Sequence, residues 1–91
     1  MILKDDEINK ALFLLKLADE LFPNDLYLLV SITWGYYKMG DYANANATIT
    51  YALRLMPGKP EVLIHAGEIW NAMRWYDLAV DAWDKALQIG F

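Results

Sequence analysis

Few side chains in this sequence are suited to chemistry, and their spacing is quickly tested. His65 is the single histidine, Ser31 the single serine, and there is no cysteine. Nucleophilic catalysis needs a nucleophile, a base within reach and a group that orients the base. Ser31 and His65 stand 34 positions apart, so a chain repeating at that interval would set them facing each other from equivalent places on two helices. A third member is missing, and general-base work also needs an enclosed pocket. The simpler reading is two polar residues on an open surface. His65 and Glu68 share a helix face at a spacing of three, far short of the three or four ligands of a zinc site. Gly35, Gly40 and Gly58 form no phosphate-cradling loop. Asp5, Asp6 and Glu7 open a helix, where negative charge suits the macrodipole. Asp77, Asp81 and Asp84, with Lys85, read as the wet face of the last helix. No catalytic residue, metal ligand or cofactor is expected, and the chain reads as a non-enzyme.

The elements that carry these residues repeat. Pro23 and Pro57 are 34 residues apart, and Phe91 lies 34 further on. Laying residues 26–57 over 60–91 puts Leu29 on Leu63, Tyr36 on Trp70, Met39 on Met73 and Tyr42 on Tyr76. Ala45 falls on Ala79, Ala52 on Ala86 and Leu53 on Leu87, while Asp41 on Trp75 is a mismatch. Such self-similarity signals a repeat architecture. Each unit reads as two helices. Asn24 and Asp25 supply N-caps, and Leu28, Leu29, Ile32, Tyr36 and Met39 follow at helical spacing. Gly40 suits the left-handed residue that ends a helix, and Asp41 caps the next. Residues 57–60, Pro-Gly-Lys-Pro, make a break. The second unit starts at Glu61, turns near residues 73–75, and ends with a helix over about residues 76–89. A further helix spans about residues 5–22. Counting back by 34 sets Ala11, Leu15, Ala18 and Leu21 on Ala45, Ile49, Ala52 and Leu55. The expected architecture is all-α: an unpaired helix in residues 1–22, then repeats in 24–57 and 58–91, forming one domain of five antiparallel helices.

Composition narrows the function. Hydrophobic residues make up 57% of the 91 residues and aromatics 14%, with four Trp and six Tyr. That is more apolar surface than so short a chain easily hides, a first hint of a partner. The net charge is −4, with eight Lys and Arg scattered along the chain. Nucleic acid requires clustered cations to displace counterions, so none is expected. The longest apolar run near the N-terminus, residues 11–15, is well below the ~20 residues of a membrane span. Lys4 followed by three acids is unlike a signal peptide's positive region, and the absence of cysteine fits the cytoplasm.

The 34-residue period, the motif Gly40-Asp41-Tyr42-x-x-Ala45, the run Ala52-Leu53-x-Leu55-x-Pro57 and its counterpart Tyr76-x-x-Ala79 with Ala86-Leu87-x-Ile89 resemble the tetratricopeptide repeat. The resemblance covers nearly the whole chain. Leu29 and Leu63 replace the family's early Trp, Arg74 its mid-hairpin Gly, and Phe91 its Pro. The resemblance implies a right-handed superhelix whose first helices line a concave, partner-binding groove. The groove positions would be Tyr27, Val30, Ser31, Trp34, Tyr37 and Lys38, then Glu61, Ile64, His65, Glu68, Asn71 and Ala72. One branch of the family grips a C-terminal carboxylate with Lys and Asn. The corresponding positions here are Val30, Trp34, Ile64 and Glu68, so that clamp is absent. An aromatic groove suits apolar anchors of an extended or helical peptide.

The ends offer a second surface, since repeat stacks usually finish in polar-faced caps. On the first helix Ala11, Leu15, Ala18 and Phe22 are expected to face the next hairpin. Phe13, Leu14, Leu17 and Leu21 form another stripe, and Val80, Trp83 and Leu87 stand on the last helix. These faces are expected to meet a partner or a second copy of the chain. Small size, acidity and lack of cysteine resemble the tetratricopeptide chaperones of type III secretion, which hold an aggregation-prone subunit in an apolar groove. The alternative is a scaffold fragment of a longer repeat protein.

Overall fold

The computed structural model describes residues 5–90. Residues 1–4 and Phe91, with the readings made on Lys4 and on Phe91 as a repeat marker, lie outside the described residues. The described chain is all-α, with five helices: α1 (Asp5–Leu21), α2 (Leu26–Lys38), α3 (Tyr42–Leu55), α4 (Pro60–Ala72) and α5 (Tyr76–Ile89). Each helix packs on the next, and α2 also touches α4. The arrangement is compatible with a helical repeat.

Local chemistry sets the boundaries. Asp25 is the N-cap of α2, its carboxylate accepting from the backbone N–H of Tyr27 and Leu28 at 2.9 and 3.2 Å, which satisfies donors the helix leaves free. Asn24 does not share that task. It takes a left-handed conformation, φ 67°, and its side-chain oxygen accepts from the Tyr51 hydroxyl, pinning the α1–α2 link to α3. Asp41 caps α3, accepting from the Asn44 backbone N–H. Pro60 occupies the first turn of α4, where its missing N–H costs nothing.

The 34-residue register is visible in the turn hydrogen bonds. Met39 N–H donates to Gly35 O and Met73 N–H to Ile69 O. Gly40 N–H donates to Tyr37 O and Arg74 N–H to Asn71 O. Asp41 N–H donates to Tyr36 O and Trp75 N–H to Trp70 O. Burial repeats as well. Ala45 and Ala79, Ala52 and Ala86, and Leu29 and Leu63 are all buried, the alanines letting helices approach closely.

The core is continuous along the stack. Leu29, Ala45, Ile49, Ala52, Val62, Ala66 and Ile69 join α2, α3 and α4. Leu63, Ala82 and Ala86 extend it to α5, and Ile8, Leu12 and Ile32 bind α1 to α2. The Trp70 indole N–H crosses from α4 to α3, donating to Asn46 Oδ1 at 2.8 Å.

The stripe of α1 that meets the next hairpin differs in part from the expected one. Ile8 and Leu12 are buried, Ala11, Leu15 and Ala18 are half-buried, and Phe22 is exposed. The physical reason lies in the register. Ala45, Ile49 and Ala52, the counterparts of Ala11, Leu15 and Ala18, are buried on α3 between α2 and α4, whereas α1 packs on α2 alone among the described helices. Contact with the following hairpin is made by Ile8 and Leu12, the counterparts of Tyr42 and Asn46, with Leu15 packed beside them.

Candidate functional site: an apolar groove between α1, α2 and α4

Three helices bound an open groove of about 570 Å³, lined by Ala11, Leu14 and Leu15 of α1, Val30, Ser31 and Trp34 of α2, and His65 of α4. Leu12 positions the α1 wall. Its side chain lies against Gly35, where an added Cβ would come within 2.6 Å of it, so α1 and α2 cross closely and their flanking residues form a trough. Trp34 stands on the rim, 41% exposed. The Lys38 ammonium sits 6.0 Å from the centre of its ring, a distance at which a cation is still attracted to the ring face.

Of the residues expected in the groove, Val30, Ser31, Trp34 and His65 come together there. Lys38 touches it through Trp34. Tyr27 is 83% exposed and does not line it. Tyr37 is half-buried against the main core, its ring 5.7 Å from that of Tyr42, so its bulk goes to packing α2. Ile64 is likewise half-buried against the cluster that joins α4 to α5. Glu61, Glu68 and Asn71 are exposed on α4 outside the lining. Ser31 and His65 share the groove without a hydrogen bond between them.

Of the α1 wall, Leu14 was expected as an end-face contact, while Ala11 and Leu15 were not expected in the groove. The signal for them was present: Ala11, Leu15 and Ala18 are the 34-residue counterparts of Ala45, Ile49 and Ala52, which bury a helix. Their small-large-small pattern is the one seen at Ala45, Ile49 and Ala52.

Of the expected end-face residues, Phe13, Leu14, Leu17 and Leu21 are exposed on α1, and Val80 and Leu87 on α5. Trp83 is different. It is half-buried, and its indole lies so tightly over Gly67 that an added Cβ would stand 2.1 Å from Nε1. Its bulk is spent inside the α4–α5 hairpin.

No family model matches this sequence, and no curated protein matches it significantly. No helix among the described residues is long and apolar enough to cross a membrane.

Proposed function

We propose that this chain is a non-enzymatic protein-binding module of the tetratricopeptide-like kind, a right-handed superhelix whose groove between α1, α2 and α4 receives an apolar helix of a partner protein. One observation carries the reading: the α1 wall repeats, in Ala11, Leu15 and Ala18, the pattern with which α3 accepts α2 and α5 accepts α4. Ala45 and Ala52 are fully buried in the cluster they share with Leu29 of α2 and with Val62, Ala66 and Ile69 of α4, and Ala79 and Ala86 are buried on α5, which packs on α4. The same surface on α1 is half-open beside Trp34. The two occupied faces describe the occupant. It carries a bulky aliphatic residue, as at Leu29 and Leu63, a small residue four positions on, as at Thr33 and Gly67, and an aromatic three further, as at Tyr36 and Trp70. A chaperone or adaptor in the cytoplasm that shelters an aggregation-prone helix would work in this way.

A photo-crosslinking residue at position 34 tests the reading in the native host. It should trap a partner through a helical segment, whereas the same group at the exposed Ala47 should not. Trp34→Ala should then weaken the trapped complex by tenfold or more, since a buried aromatic anchor contributes roughly 2 kcal/mol or above. Equal trapping from both positions, or unchanged affinity of the variant, would sink the proposal.

A further inference from the structure

The face of α1 turned away from α2 carries a short heptad of its own. Leu14 and Leu21 are seven residues apart, as are Lys10 and Leu17, and the two rows interleave as the a and d positions of a coiled-coil seam do. Asp6, Phe13 and Glu20 run along one flank at the same interval. The seam lies opposite Ile8 and Leu12, the residues α1 buries on α2, and all of its members are exposed. Leu21 is 74% and Leu14 64% exposed. Two unpaired charges sit at its ends, Lys10 toward the start and Glu20 toward the finish. No ion pair within the chain engages either among the described residues, where the one salt bridge joins Lys85 to Asp81.

We infer that two copies of this chain associate through α1, antiparallel about a two-fold axis between Leu14 and Leu17. In that arrangement Leu14 of each copy faces Leu17 of the other. Leu21 of the second copy seats over the hollow of about 420 Å³ formed by Asn9, Lys10, Phe13 and Leu14. Lys10 then lies beside Glu20 of the second copy, and symmetry makes this contact twice. Charge selects the direction. A parallel pair would set Lys10 against Lys10 and leave Glu20 on an outer flank away from it, and like charges across an interface oppose association. The surface is isologous, as a closed dimer requires. A 17-residue helix is roughly 25 Å long, and its seam is smaller than the ~800 Å² per partner of a standard interface, so the dimer is weak and concentration-dependent. The groove lies on the adjacent face of α1, about a quarter turn away, and of the residues lining the hollow and the groove Leu14 alone borders both.

Sedimentation equilibrium of the full chain, run up to about 1 mM, tests the inference. A monomer–dimer equilibrium is expected. Leu17→Glu should remain monomeric throughout with unchanged helical circular dichroism, because Leu17 does not touch α2's core. Lys10→Glu and Glu20→Lys should each weaken association about tenfold, and the two together should restore it. A monomer at every concentration, a dimer indifferent to Leu17→Glu, or a double reversal that fails to recover the dimer would each overturn the inference. None of these outcomes bears on crosslinking from position 34, so the two readings fail separately.

Discussion

The two hairpins reach the same backbone with different residues. At the turn of the first, Met39, Gly40 and Asp41 have φ of −81°, 77° and −87°. At the turn of the second, Met73, Arg74 and Trp75 have φ of −82°, 65° and −92°. The hydrogen bonds correspond one for one. Yet the first turn has the residues such a turn favours, a glycine in the left-handed region and an aspartate at the N-cap, and the second has neither. The lesson is that packing between paired helices dictates the turn. Residue preference then sets how much strain the turn carries. The helix-helix contacts behind the turns differ in a complementary way. By the 34-residue register Thr33 and Ile49 of the first hairpin, both buried, correspond to Gly67 and Trp83 of the second, where the indole lies over the glycine.

The strongest way to break this comparison is to exchange those pairs. Gly67→Thr places a Cβ where the Trp83 indole already stands, and it should destabilise the chain by about 3 kcal/mol, the upper range for overpacking. Trp83→Ile should cost a similar amount, about 3 kcal/mol, through the cavity it leaves over Gly67. Combined, the two rebuild the first hairpin's pairing inside the second. The double variant should recover 1–3 kcal/mol relative to the sum of the single effects, roughly the coupling seen between touching residues. Urea denaturation of the four proteins measures the cycle. Strict additivity would show that the two contacts are not equivalent.

Exchanging the turn residues should have a smaller effect. Arg74 holds a conformation that costs an L-residue roughly 1–2 kcal/mol, partly offset because glycine loses more entropy on folding. Arg74→Gly should therefore stabilise by about 1 kcal/mol, a rise of roughly 4–8 °C in a domain of this size. Gly40→Arg should destabilise by a similar amount, since nothing lies within 4 Å of the position to help or hinder a side chain. A melting temperature unmoved by Arg74→Gly would mean that the arginine side chain makes a compensating contact.

These comparisons also show what was legible in the sequence. Helix number and the ends of α2 through α5 followed from caps, breaks and the 34-residue register, because those signals act within a few residues of where they are read. Faces were harder. Ala11, Leu15 and Ala18 were recognisable as counterparts of Ala45, Ile49 and Ala52, but which neighbour such a stripe meets depends on the order of helices in the stack. The α1 wall of the groove stayed hidden for that reason. Trp83 was expected on the outer face of the last helix beside Val80 and Leu87, and Tyr37 in the groove from the repeat register. That Gly67 makes room for one, and that the core and Tyr42 claim the other, are facts of tertiary packing. Val30, Ser31, Trp34 and His65 were legible because they stand at equivalent or adjacent positions of the first helices, and the register alone brings them to one side.

The helix caps give the finest test of the comparison. Asp41 accepts from the Asn44 backbone N–H at 3.3 Å and from the Asn44 side chain at 2.6 Å. Trp75, at the same place with nearly the same dihedral angles, makes no side-chain cap to α5. Asp41→Ala frees that backbone donor and should cost about 1 kcal/mol. Trp75→Asp should add a cap to α5, and Asp77 already in its first turn sets a limit on the gain, because a second carboxylate nearby opposes the first. About 0.5 kcal/mol of stabilisation is expected, at the low end for caps. The gain should grow when Asp77→Asn is combined with it. Thermal unfolding of the three variants checks the order. If Trp75→Asp destabilises instead, the exposed indole of Trp75 contributes packing at the turn that outweighs a cap, and the second hairpin departs from the first in its contacts as well as in its residues.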